Sequence, residues 1–315
     1  MSILNQRQFH PWEGGEGKVP FQYITIHIEL AKKMLQSGST KKAIEHLEAA
    51  QIYPINLGEG KLFGSQENDI FYWLGCAYEK LGEVQKAKEN WEIASQGLSD
   101  PSPALFYNDQ QPDKIFYQGL ALRKLGRNEE AEHRFKNLIL YGKEHINDDV
   151  KLDYFAVSLP DLLIWEEDLN VRNNNHCQYL LGLGELGLGN PKEAISAFTK
   201  ILDKDKYHLP AFVHLDMAIF VFHLMFHGKF IAQTTDQISL AGKWKVKLDS
   251  LNIGSNANWA SLNFQGMGID LPGTLDDAGI GTPSSLKPAL NNYVLSNLTR
   301  KHQYIGKAWY QKEIN

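Results

Sequence analysis

The sequence predicts a mainly α protein, a solenoid of helical hairpins followed by a short β-rich module, and three observations carry that reading. A segment of helical hairpin type recurs along the first two thirds of the 315 residues. In every copy a small residue and a large one stand four apart on the second helix. Beyond residue 238 the helical spacing gives way to two-residue alternation and Gly- and Pro-rich turns.

The repeats are LGCAYEKLGEVQKAKENWEIA (74–94), QGLALRKLGRNEEAEHRFKNL (118–138) and LGLGELGLGNPKEAISAFTKI (181–201), with a fainter copy, LAKKMLQSGSTKKAIEHLEAA, at 30–50. Each reads as a helix, a glycine turn (Gly38, Gly82, Gly126 or Gly189) and a second helix. The small residue of the second helix is Ala43, Ala87, Ala131 or Ala194, and the large one is Leu47, Trp91, Phe135 or Phe198. This spacing predicts that the two helices meet most closely at Gly75, Gly119 or Gly182 and at the alanine, while the large residue fills the next layer. No hairpin buries its apolar face alone, so stacking must supply the core.

This pattern resembles tetratricopeptide repeats. The resemblance implies a tetratricopeptide-like solenoid whose concave face takes a peptide or protein, or an oligosaccharide. The repeat alanines are 44, 44 and 63 residues apart, against about 34 in the standard repeat. The surplus falls at 53–68, 99–113 and 141–176. Its last stretch, DYFAVSLPDLLIW, is apolar enough to predict extra helical structure packed over the array and broken near Pro160.

Composition excludes several functions. The formal net charge of -5 offers no field for nucleic acid. The charge is uneven: residues from Ile238 onward carry eight Lys/Arg against five Asp/Glu, which supports a boundary there. Cys76 and Cys177 lie in apolar helical patterns and read as free thiols, too few to form a zinc site. The first residues have no apolar core and are not a signal peptide. No cofactor is expected.

Two loops share Gly-Glu-Gly-Lys, at 15–18 and 58–61. Neither is a phosphate loop. Trp12 stands where the first copy needs a glycine, and Val19 and Leu62 stand where a hydroxyl is needed, so nucleotide binding is rejected. Two readings remain. In one, Trp12 is a stacking platform and His10, Glu13, Glu16, Lys18, Glu59 and Lys61 present polar groups to a sugar or peptide. In the other, these are tight loops that satisfy their own polar groups. Asp109, in YNDQQPD, is a further candidate ligand contact or a helix cap. Glu166, Glu167 and Asp168 read as a solvated helix face rather than a glycosidase pair, and His176 as a helix-start residue.

The run from Met217 to Phe226 is apolar apart from His223 and too short to span a bilayer, so no membrane span is expected. It reads as the first helix of a further repeat or a capping helix. Its length also fits a secretory leader, in which case Met217 would open a separate coding segment. The expected organisation is an array over 1–216, an apolar helix or linker over 217–237 and a β module over 238–315.

In the tail, GKWKVKLD (242–249) and KAWYQKEI (307–314) read as strands, with Trp244, Val246 and Leu248 on one face of the first. YVLSNL is a third expected strand, and the aromatic rows of Trp244, Trp309 and Tyr310 are expected to lack part of their opposing sheet and to expose apolar surface. LAGKWKVKLD, Trp259, IDLPGTLDDAGIG, NLTR and YIGKAWYQKEI occur in an order that resembles the N-terminal sugar-binding domain of glycoside hydrolase family 2. The resemblance implies an incomplete jelly-roll-like β-sandwich, since the family's domain is about twice as long. It also implies that the family's catalytic glutamates belong to a barrel that these residues do not include. Asp276 and Asp277 are not expected to replace that pair. Residues 3–216 are similar to the C-terminal repeat region of large carbohydrate-related proteins of Bacteroidetes.

The sequence thus predicts a non-catalytic interaction or carbohydrate-associated scaffold carrying a truncated sugar-binding module. The alternative is a glycoside hydrolase, β-galactosidase- or β-glucuronidase-like, in a longer form that includes the barrel. A cytoplasmic location is expected for the chain as given, and a periplasmic or secreted one for relatives of the tail.

Overall fold

A computed structural model describes residues 1–11, 15–104, 109–150, 168–227, 240–285 and 300–313. The chain divides into two compact units, 1–231 and 232–315. The first is helical. A short α1 (Ser2–Gln6) precedes four antiparallel pairs: α2 (Lys18–Gln36) with α3 (Thr40–Ala50), α4 (Asn68–Lys80) with α5 (Val84–Ala94), α6 (Pro112–Lys124) with α7 (Asn128–His145), and α8 (Leu169–Leu188) with α9 (Pro191–Lys204). Then α10 (Leu209–His227) packs on α9.

The four hairpin turns use one device. Gly38, Gly82, Gly126 and Gly189 adopt φ of 78–84°, a region that disfavours side chains. The next N–H closes back on the helix in each: Ser39 to Met34, Glu83 to Tyr78, Arg127 to Leu122 and Asn190 to Glu185. These bonds satisfy carbonyls that a helix end otherwise orphans. Proline at the first turn of α6 and α9, and the Asp168 carboxylate accepting from Asn170 N and Val171 N, fix three of the starts.

Ala43, Ala87, Ala131 and Ala194 are fully buried, as the spacing requires. The close approach itself differs from the expectation. A methyl group on Gly75 would sit 2.3 Å from Trp91 Nε1, one on Gly119 2.4 Å from Phe135 and one on Gly182 2.4 Å from Phe198. The glycine therefore houses the ring of its own hairpin, and the large residue does not belong to a separate layer. In the first hairpin Ala31 holds the glycine's position and Leu47 the ring's, both buried in one cluster. Each pair is sixteen positions apart (31 and 47, 75 and 91, 119 and 135, 182 and 198), so volume is traded across the contact. Phe135 also meets Gly187 of the next pair, where a methyl group would lie 2.2 Å away.

The surplus length at 141–176 is partly helix. It extends α7 to His145 and supplies the first turns of α8, while DYFAVSLPDLLIW lies outside the described residues. His176 consequently sits in the third turn of α8 rather than at a helix start, its Nε2 2.8 Å from the Ser102 carbonyl. The apolar run at Met217 is the second half of α10, which begins at Leu209. This helix buries Ala211, His214 and Ala218, yet Phe212 is 62% and Met225 56% exposed, so it is not enclosed on all sides. Among the described residues no helix is long and apolar enough to cross a membrane. Both cysteines are free, and burial pushes each thiol up to about 11.

The second unit centres on β1 (Gly242–Asp249), flanked antiparallel by β2 (Met267–Leu271) and β5 (Lys307–Gln311). Two short strands, β3 (Thr282–Pro283) and β4 (His302–Gln303), pair separately. Val246 pairs with Tyr310, and Lys247 with Trp309. Trp309 therefore lies on the face opposite Trp244 and Tyr310, so the aromatic residues divide between the two faces of the sheet. Its indole donates to Asp249 Oδ2 (2.9 Å) and meets Trp259 edge-on. The LPGTLDDAGIG segment follows β2, with Gly279 and Gly281 at φ of 67° and 127°. Asp276 there accepts from the backbone of Lys301 and His302, a role of loop closure. YVLSNL lies outside the described residues.

Candidate functional site

The second helices turn their alanine and ring faces inward, and the first helices line a groove. A cavity of about 280 Å³ has walls from α2 (Phe21, Thr25, Ile28) and from α8 and α10 (Tyr179, Val213, His214). Its polar groups come from α4 and α6: Asp69, Asp113, Lys114 and Tyr117. No lining residue belongs to α3, α5, α7 or α9.

The centre of the groove is ionic. Lys114 Nζ lies 2.5 Å from Asp69 Oδ2 and 3.3 Å from Asp113 Oδ2. Burial works against the Lys114 charge, but the two carboxylates outweigh it and raise its pKa above the usual range. Asp69 is 6% exposed, and its second oxygen, Oδ1, has no protein partner.

A second unpartnered atom stands on α10. His214 is 5% exposed, and its Nδ1 lies 2.9 Å from the Pro210 carbonyl and 3.1 Å from the Tyr179 hydroxyl. A carbonyl only accepts, so the proton is on Nδ1 and Nε2 carries a lone pair. Nε2 has no protein partner. Burial lowers the His214 pKa to about 4, keeping the ring neutral. Burial also raises the Tyr117 and Tyr179 pKa values well above 10, so both remain O–H groups.

Gln66 ties the entrance together. Its Oε1 accepts from Gln111 N (3.2 Å) and its Nε2 donates to the Asp109 carbonyl (3.2 Å), joining the loops before α4 and α6. A second cavity, with Glu59 and the exposed Phe63 on its border, shares Gly17, Phe21, Thr25, Asp69, Gln111 and Lys114 with the first. A third, containing Asn175, His176 and His208, shares Gln111, Tyr179 and Pro210. Burial lowers the His176 pKa to about 4 and depresses that of His208 as well.

The groove includes only some of the residues singled out from sequence. Glu16 and Lys18 line the first cavity and Glu59 the second. The two Gly-Glu-Gly-Lys loops meet directly, Gly17 N donating to Glu59 Oε2 at 2.6 Å where α2 begins. Lys61 instead bonds Glu67 (2.6 Å) and the Gln51 carbonyl. His10 is exposed on the N-terminal segment, outside the three cavities. Asp109 bonds through its carbonyl, and the N-cap of α6 is Gln111 rather than Asp109. Trp12 and Glu13 lie outside the described residues. Sequence reasoning missed Asp69, Lys114, Tyr117, Tyr179 and His214. For Asp69, Lys114 and Tyr117 the one available signal was the recurrence of polar and aromatic residues at 69–73 and 113–117 in successive first helices. Among the described residues no group of three His, Cys, Asp or Glu side chains could hold a metal ion.

Stacked helix pairs with a groove along their first helices define a helical-repeat scaffold of the kind that binds peptides or proteins. Comparison with known proteins agrees at one repeat: the tetratricopeptide repeat family matches residues 69–90, which span the α4–α5 turn. Among solved structures, the chain is similar to a tetratricopeptide repeat protein from Parabacteroides merdae, at 18% identity and a TM-score of 0.23 over 66% of this chain and 61% of that one. It is also similar to MamA from Desulfovibrio magneticus, at 15% identity and a TM-score of 0.23 over 68% of this chain and 98% of that one. The match spans about three fifths of the Parabacteroides protein.

Proposed function

We propose that the array over residues 1–216, with the apolar helix that continues from it, is a non-catalytic scaffold that holds an extended segment of a partner protein along its first helices. The observation that carries this reading is the continuity of the three cavities through shared residues from Gly17 to Pro210. A run of cavities with aromatic and polar walls suits a peptide, which supplies side chains at regular intervals along an extended backbone. The test is selection of a displayed peptide library on the whole chain. Val213→Trp, which fills the groove, should release the selected peptides. Binding that ignores this substitution would remove the groove from the reading.

An oligosaccharide is the second reading. It is favoured by Asp69 Oδ1 and His214 Nε2, lone acceptors beside the tyrosines of one cavity, which sugar hydroxyls could satisfy. Retention on a glycan array, lost in Val213→Trp, would select it over the peptide. The division at 216 and 238, and the reading of 238–315 as a truncated family 2 sugar-binding module, belong to the same proposal. Support comes from the strand before LPGTLDDAGIG and the strand at Lys307–Gln311. Retardation of the chain in polysaccharide gels tests it. The glycoside hydrolase alternative attaches to a longer chain with a barrel, and reading the genomic locus tests that.

A further inference from the structure

Resting on the groove as a peptide site, we infer that its central cavity takes a basic side chain, lysine or arginine, of the bound segment. Four carboxylates (Glu16, Glu29, Asp69, Asp113) face two lining ammonium groups (Lys18, Lys114), and Lys32, 2.8 Å from Glu29, balances one more of those carboxylates. Lys114 is already engaged by two of those carboxylates. The cavity therefore carries net negative charge, which repels an acidic ligand and attracts a cation.

The unpartnered atoms sharpen the choice. Asp69 Oδ1 and His214 Nε2 are both acceptors, both more than nine-tenths buried, and both on residues that line this cavity. Buried acceptors without donors are rare in folded proteins, and each calls for a donor from water, an ion or a bound ligand. Lysine and arginine are the side chains that bring several donors and no acceptor. Their aliphatic stems fit between Phe21, Ile28 and Val213, and the faces of Tyr117 and Tyr179 favour a cation. A neutral polar side chain such as glutamine would bring an acceptor of its own into a site rich in acceptors.

The experiment begins with the displayed peptide library on the whole chain, followed by titration of one selected peptide and its variants. The expected result is a Lys or Arg at one shared register. Replacing that residue with norleucine, which keeps the stem and removes the charge, should weaken binding at least tenfold. Asp69→Asn should weaken the basic peptide about tenfold and the norleucine peptide far less. Were Asp69→Asn to unfold, the comparison of basic and norleucine peptides on the unaltered protein decides by itself. Selected peptides that lack a common basic residue, yet are released by Val213→Trp, would overturn the cation and leave the groove standing. No selected peptide, or peptides indifferent to Val213→Trp, would overturn the groove reading and this inference with it.

Discussion

The Trp91 indole covers Gly75 so closely that a single added methyl group would meet its Nε1 at 2.3 Å. The same indole N–H donates to the Tyr72 carbonyl at 3.3 Å, on the helix it packs against. Ring and glycine thus form one fitted unit between α4 and α5, matched in the first hairpin by Leu47 and Ala31.

That equivalence makes a double-mutant prediction. Gly75→Ala gains about 1 kcal/mol of helix propensity, but the clash with a ring that has no room to move should leave a net loss of about 1–3 kcal/mol. Trp91→Leu alone should lose about 2–4 kcal/mol by opening a cavity. Together they recreate the pairing of Ala31 with Leu47 and should recover at least about 1 kcal/mol of the summed loss. Urea denaturation of the four proteins measures the coupling. Strict additivity would mean that the two positions do not share their volume.

The hairpins were legible in the sequence because each rests on local chemistry. Gly82 or Gly126 signals a turn wherever it follows a helical pattern, and Ala87 or Ala131 signals a close contact. The identity of that contact was not legible, since nothing in one strand of letters says that Phe135 reaches Gly119 rather than the next layer. The groove was less legible still. Asp69, Lys114 and His214 lie 45 and 100 positions apart in turn, and each alone resembles an ordinary helix residue. The Gly-Glu-Gly-Lys loops stand out in the sequence because they repeat. Their glutamates and Lys18 do line the cavities, but Glu59 spends one oxygen on the start of α2. In the tail, alternation set the faces of β1, and in β5 the neighbours Trp309 and Tyr310 point to opposite faces as the two-residue period requires.

Lys114 is the residue on which the groove's ionic cluster depends. Lys114→Met keeps most of the stem but leaves the largely buried Asp69 and Asp113 carboxylates without their cation. Breaking one side of a buried pair typically costs about 3–5 kcal/mol, and that loss is expected here by chemical denaturation. Adding Asp69→Asn to Lys114→Met removes one stranded charge and should restore about half of it. A Lys114→Met protein of undiminished stability would show that water already screens the cluster.

The histidines predict an acid transition. His214 and His176 are held near 4, while an unfolded histidine titrates near 6.5. Between those values the unfolded chain binds more protons, so stability rises with pH across the window. The contribution is complete above about 6.5 and is lost as pH falls through 4. For the buried His214 it is on the order of 3 kcal/mol. The melting temperature of the helical unit should therefore fall between pH 6.5 and 4, and His214→Gln should flatten that fall. Equal slopes in the two proteins would show that His214 protonates in place without opening the fold.

The two units should differ in stability, and their cores say which yields first. Among the described residues, the main helical cluster runs from Tyr72 to Ala218 and includes Phe116, Phe135 and Phe198 at full burial. The sheet's cluster has three buried members, Val246, Ile269 and Ile280, while Trp244 and Leu248 are only partly covered. Polar stitching does much of the remaining work there. Asp249 accepts from Ile253 N, Gly254 N and the Trp309 indole. Burial pushes its carboxyl up, but these donors outweigh that and hold its pKa below the usual range. Stability from a depressed carboxyl is present at neutral pH and is lost on acidification through the folded value. Amide exchange on the whole chain at pH 7 should show β1, β2 and β5 exchanging well before α6 through α9. Asp249→Ala should accelerate exchange in the three strands and leave the helices unchanged. Strand amides protected as long as those of α8 would show that the sheet owes its stability to packing beyond its own three-residue core.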